Sequence, residues 1–149
     1  MSMTSLKSIC IALAVLGMAN ALDYKYYKAE SGETANDPIC SLNFGLAYVT
    51  DTNANIRHVD DVQNITCSVP ADSCARVSNQ NLSSIFFCNY GSTAINTKCG
   101  TLVEPAKSIQ SACRLRDFYD YGYIEQTLTQ GTVEYKYTIA LGGEFPNSA

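Results

Sequence analysis

Six cysteines in a chain of modest size constrain the fold more than any other feature. Cys40, Cys67, Cys74, Cys88, Cys99 and Cys113 are separated by 26, 6, 13, 10 and 13 residues. A seventh, Cys10, lies in the opening stretch "MSMTSLKSICIALAVLGMANA". There Lys7 precedes an apolar run from Ile9 to Ala19, and the small residues Ala19 and Ala21 flank Asn20. That is the order of a secretory leader cleaved after Ala21. The run is shorter than the about 20 apolar residues that a membrane span requires. Residues 1–21 therefore read as a signal peptide, and 22–149 as a single domain of 128 residues.

An even count of cysteines in a small secreted chain reads as three disulfides, and six cysteines allow fifteen pairings. A local bridge from Cys67 or Cys74 is expected, and a bridge from Cys113 that ties a helix to a strand. Zinc sites set their ligands two to four residues apart in paired groups, and redox motifs use Cys-x-x-Cys. Neither pattern occurs, so no metal or cofactor is implied.

The formal net charge is −4, and −5 once Lys7 is removed, with the basic residues scattered along the chain. An acidic surface without a basic stripe repels phosphate backbones, so nucleic acid is not an expected partner. The tail "GGEFPNSA" lacks the hydrophobic stretch of a lipid-anchor signal. A secreted, extracellular monomer without a membrane anchor is expected. The sequons Asn64-Ile65-Thr66 and Asn81-Leu82-Ser83 mark surface positions able to carry a glycan.

Strand periodicity dominates the chain. From Thr132 onward, Val133, Tyr135, Tyr137, Ile139 and Leu141 alternate with more polar residues. A two-residue turn at Gln130-Gly131 would place Leu128 opposite Val133 and Ile124 opposite Tyr137 on an apolar face. Glu125 would then meet Lys136 on the charged face. "SLNFGLAYV" sets Leu42, Phe44, Leu46 and Tyr48 on one side of a second strand. "SSIFFCN" reads as a buried strand, "DYKYYK" as an N-terminal strand, and Val62 to Cys67 as another. "DTNAN" and "NYGST" read as turns between them. "EPAKSIQSACRLRD" departs from this pattern. Pro105 fits a first helical turn, Ile109, Ala112, Cys113 and Arg116 fall at helical spacing, and Arg114 and Arg116 suit the negative C-terminal end. The expected fold is α+β, predominantly antiparallel β-sheet with one short helix at about 105–117. A small β-sandwich or barrel is the alternative.

Three stretches could carry chemistry. "RHVDD" gathers the only histidine, His58, with Arg57, Asp60 and Asp61, and a strand would set His58 and Asp60 on one face for acid–base work, as in a small secreted ribonuclease. A polar loop or strand edge explains the same residues. "DTNANIRHVDDV" matches the first three ligand positions of a helix-loop-helix calcium loop at Asp51, Asn53 and Asn55. It offers Ile56 where Gly is required and Val62 where a bidentate Glu is required, so an Asx-rich turn is expected instead. No nucleophile elbow, phosphate loop or dinucleotide fingerprint is present. "DFYDYGY" gathers Phe118, Tyr119, Tyr121 and Tyr123 around acids; tyrosine offers large contact area with a polar tip, and these four form a candidate binding surface. Ordinary strand packing with alternate tyrosines buried is the competing reading.

The leader, the cysteine series from Cys40 to Cys113, the two sequons and the absence of a catalytic motif together resemble the small secreted effector-type proteins of filamentous, plant-pathogenic fungi. "CRLRDF" is not the Arg-x-Leu-Arg translocation motif of oomycete effectors. The resemblance implies a stable β-rich scaffold, acting in virulence by binding host or extracellular proteins or glycans without enzymatic activity. A small hydrolase centred on His58 and a structural cell-wall protein are the alternatives.

Overall fold

The computed structural model describes residues 37–145. The leader and the strand expected in "DYKYYK" lie outside the described residues. After a 3-10 turn at Leu42–Phe44, the chain forms β1 (Ala47–Tyr48), α1 (Val49–Asp61), β2 (Thr66–Val69), β3 (Ser73–Gln80), β4 (Ser83–Asn89) and β5 (Ile95–Lys98). There follow α2 (Val103–Ala112), β6 (Arg114–Leu115), β7 (Tyr119–Asp120), β8 (Gly122–Gln130) and β9 (Val133–Gly142). All pairing is antiparallel, in a four-stranded sheet β3-β4-β9-β8, a small sheet β1-β7-β6 and a ribbon β2-β5. The protein is thus α+β with strands dominant, as its periodicity predicts.

The stretch "SSIFFCN" is β4, and all seven of its residues are buried. On one face Ile85 and Phe87 join Ile139 and Leu141 of β9 beneath both helices, which contribute Ile56, Val59, Ala106 and Ile109. On the other face Phe86 and Cys88 pack with Phe44, Cys74, Tyr123 and Ala140, bordered by Phe145. Arg76 lies over this second cluster, its guanidinium 4.7 Å from the Phe145 ring centre. Burying one such large apolar side chain is worth about 1.5–3 kcal/mol, so β4 draws on two hydrophobic layers at once.

Several sequence expectations are corrected. The run "VTDTNANIRHVDD" is helix α1, where an Asx-rich turn was expected. Thr52, Asn55, Ile56 and Val59 are its buried residues, a spacing of 3, 1 and 3 that only a helix places on one face. "SLNFGLAYV" is not one strand: Leu42–Phe44 is a 3-10 turn and only Ala47–Tyr48 pairs. The strand expected at Val62 to Cys67 begins at Thr66. Helix α2 stops at Ala112, so Arg114 belongs to strand β6 and neither arginine caps the helix.

The β8–β9 hairpin forms in a different register. Its two-residue loop is Gly131-Thr132, so Leu128 faces Tyr135 and Ile124 faces Ile139. Gly131 takes φ +65°, which suits glycine at the first central position of a primed turn. The shift is two residues along β9, one full strand period, so the apolar and charged faces stay as expected.

The disulfides are Cys40–Cys113, Cys67–Cys99 and Cys74–Cys88. The third is local, joining directly opposed residues of β3 and β4. The first ties the residue just after α2 to the segment in which Ile39 bridges Tyr123 of β8. Chain-entropy arguments give about 3 to 4.5 kcal/mol for bridges closing loops of these lengths.

Two glycines of β9 and its turn differ sharply in what they tolerate. A Cβ on Gly142 would overlap the Phe44 carbonyl oxygen and lie 2.6 Å from the Phe44 side chain, whereas one on Gly131 meets nothing within 4 Å. Gly142→Ala should destabilise the protein by about 3 kcal/mol or more through forced displacement of Phe44. Gly131→Ala should cost only the left-handed backbone penalty, about 1–2 kcal/mol. Urea-unfolding midpoints of the two variants check the order.

Candidate functional site

The small sheet is two residues wide, so its strands display two rows. One row is Ala47, Asp120 and Arg114; the other is Tyr48, Tyr119 and Leu115. Successive strand residues point to opposite faces, and burial follows this rule in β1 and β7, while both residues of β6 are exposed. Ala47 and Asp120 are fully buried, whereas Tyr48 is 44% and Leu115 40% exposed.

Asp120 anchors the sheet. Its carboxylate accepts from Arg114 Nε at 3.3 Å and from Gln110 Nε2 at 3.0 Å. Gln110 also donates to Asn53 Oδ1 at 2.9 Å, so one buried acid connects the small sheet to both helices. A buried carboxylate is tolerated when its oxygens are paired and hydrogen-bonded in this way.

On the display row the Tyr48 and Tyr119 rings lie 5.1 Å apart in a tilted pair. A hydroxyl–hydroxyl hydrogen bond with Tyr119 raises the Tyr48 phenol above its ordinary value. Tyr48, Leu46 and Tyr119 border a depression of about 290 Å³ whose other walls are Leu82 and Glu144. Leu82 is 69% exposed, and Phe118, at the tip between β6 and β7, is 68% exposed. The tip carries two consecutive non-glycine residues in the left-handed region, Arg116 at φ +51° and Asp117 at φ +57°. Such conformations persist where surrounding structure over-determines them, here a hairpin closed by Phe118 N–H donating to the Leu115 carbonyl.

The aromatic stretch expected to act as one surface is divided by this arrangement. Tyr119 borders the depression and Phe118 is exposed at the neighbouring tip, but Tyr123 is buried in the second core cluster and Tyr121 packs against the first. Tyr48, Leu82 and Leu115, absent from the sequence-based set, are the other exposed side chains here. No single segment contains them, because the row is assembled from three separate parts of the chain.

His58 stands on α1. Two residues along a helix point to different faces, so His58 and Asp60 do not converge. His58 Nδ1 instead meets Ser78 Oγ at 3.0 Å, and Ser78 Oγ donates to Asn55 Oδ1 at 2.8 Å. Asn55 Nδ2 in turn donates to the Ser83 carbonyl at 2.9 Å. The serine has one proton and commits it to Asn55, so His58 is the donor to Ser78. This chain ties α1 to β3 and β4. Among the described residues no group of three or more His, Cys, Asp or Glu is placed to hold a metal.

The sequon asparagines lie at the surface. Asn64 follows α1, and Asn81 occupies the β3–β4 turn, where its Nδ2 donates to Asp51 at 3.0 Å. Ser83 of the second sequon is buried and its hydroxyl accepts from Tyr48 N–H at 2.8 Å. All six described cysteines are consumed in disulfides, which is the state an oxidising compartment maintains. Among the described residues no helix is long and apolar enough to cross a membrane.

No family model, curated protein or solved structure matches the chain.

Asp120→Ala should unseat the small sheet, because it leaves Arg114 and Gln110 without their shared acceptor. A loss of about 2–3 kcal/mol is expected, since Arg114 keeps part of its hydration. Urea unfolding checks the magnitude, and amide exchange at Tyr48 and Tyr119 should accelerate before that of β4.

Proposed function

We propose that the protein is secreted and acts without catalysis, as an effector-like binding protein at a host or extracellular interface. The observation that carries this reading is the set of exposed side chains Tyr48, Leu82, Leu115 and Phe118, on or beside the small sheet with the half-buried Tyr119, held on a disulfide-tied frame. Exposed apolar groups clustered on a rigid element are what binding hot spots are made of. Preorganisation lowers the ordering cost of association, and a sheet anchored through the buried Asp120 supplies it. The patch favours a protein partner, while its tyrosine hydroxyls leave glycan recognition as the second form of the same reading.

Signal-peptide removal after Ala21 and glycans at Asn64 and Asn81 belong to this proposal. A glycan on Asn81 would stand next to Leu82, at the rim of the patch. A hydrolase centred on His58 draws support from the His58–Ser78 contact alone, and the donor order in that contact works against base catalysis through Ser78.

A photo-crosslinking residue in place of Phe118 should form adducts with host extracellular proteins, and the same residue at Lys107 should not. Tyr119→Ala and Phe118→Ala should each weaken the captured interaction about tenfold or more while leaving the unfolding midpoint nearly unchanged. His58→Ala should leave binding intact. Loss of an assayable hydrolytic activity in folded His58→Ala protein would sink the binding reading, and retention on insoluble wall polysaccharide independent of Phe118 would favour a structural wall role.

A further inference from the structure

The four-stranded sheet is split along part of its length. β4 pairs with β9 only between Ser84↔Gly142 and Cys88↔Thr138. β8 follows β9 much farther, to Gln130↔Val133. Beyond Cys88 the chain stays with the β3 side: Asn89 pairs with Ser73, and Asp72 N–H donates to the Gly91 carbonyl at 3.0 Å. Among the described residues, Val133–Tyr137 therefore has a strand neighbour on one side only.

The alternation of an antiparallel ladder says which backbone groups are left. The pair closing a two-residue hairpin is hydrogen-bonded, so Val133, Tyr135 and Tyr137 direct N–H and C=O toward β8. Glu134 and Lys136 direct theirs the other way. The next residue in that series, Thr138, is where pairing with β4 begins. The open side faces a groove of about 510 Å³ between β9 and residues 89–93, with Ile95 among its lining residues. Gln130 Nε2 donates to the Asn96 carbonyl at 2.9 Å at the hairpin end.

We infer that this groove binds an extended peptide that adds as a strand beside Val133–Tyr137 and carries basic side chains at alternate positions. Five strand residues span about 17 Å, enough for a segment of about five residues. Main-chain bonds would come from Glu134 and Lys136, the recognition mode of strand addition. The register puts Glu125 and Glu134 on the same sheet face, with Lys136 between them in the ladder, so two carboxylates oppose one ammonium. Tyr135 and Tyr137 belong to the opposite face, where the alternate, apolar side chains of the guest would lie.

The test uses isotopically labelled full-length protein and the peptide acetyl-Lys-Val-Lys-Val-Lys-amide. At saturation, exchange of the Glu134 and Lys136 amides should slow at least about tenfold, the protection expected of newly made backbone hydrogen bonds. N-methylation of the central lysine should weaken binding about tenfold. The double variant Glu125→Gln, Glu134→Gln should weaken it about fivefold at low salt and little at high salt. Phe118→Ala should change nothing, which separates this groove from the patch proposed above. Absence of binding, or binding without protection of those two amides, overturns the inference. So does protection already present in the free protein: release by removing residues 22–36 would assign the groove to the chain's own N-terminal segment, and release on dilution to a second copy.

Discussion

Burial of β4 on both faces is the constraint on which the other elements depend. Phe86 and Phe87 are neighbours in sequence and lie on opposite sides of the sheet, so each requires its own cover. The helices cover Phe87; Phe44, Tyr123 and Phe145 surround Phe86. The same strand accepts the Asn55 amide at Ser83 and holds one end of the Cys74–Cys88 bridge. A polar chain from His58 through Ser78 and Asn55 then fixes how α1 sits across β3 and β4. Hydrophobic layers supply most of the stabilisation, and the hydrogen bonds of His58, Ser78 and Asn55 select one arrangement among those the layers would permit.

How much of this the sequence reveals depends on whether the cause is local. β4 and β9 are legible because their side-chain alternation or continuous apolar run is written within one segment. The hairpin turn is misplaced by one residue because both Gln130-Gly131 and Gly131-Thr132 leave the faces matched, and only the backbone angle of Gly131 distinguishes them. Helix α1 is hidden for a different reason. Its buried stripe includes Thr52 and Asn55, and its Asp, Asn and Thr residues favour turns when nothing else acts on them. The partners that make Asn55 acceptable inside are Ser78 and Ser83, 23 and 28 positions away. A sequence window around α1 contains neither.

The exposed side chains of the small sheet show the same limit. "DFYDYGY" announces an aromatic surface, and Phe118 is exposed with Tyr119 half-buried beside it. Tyr121 and Tyr123 turn inward because β8 begins at Gly122 and enters the main sheet. Tyr48 and Leu115 become neighbours of Tyr119 only through pairing between strands two residues long. Disulfide partners are equally non-local: Cys40 and Cys113 are 73 positions apart and meet because Ile39 bridges Tyr123 beside the end of α2.

The two-row layout of the small sheet also has a bearing on how such a surface changes over generations. Ala47 and Asp120 are buried beneath the sheet and Arg114 pairs with Asp120 from its exposed edge, while Tyr48, Tyr119 and Leu115 occupy the adjoining positions. Because adjacent residues have opposite duties, the outer three can be exchanged one at a time without disturbing the other three. If the outer row binds a partner, as proposed above, recognition is uncoupled from foldability. Under that proposal, a lineage under pressure to alter what it binds, or to escape being bound, would have a short set of codons to vary and a scaffold that stays the same while they do.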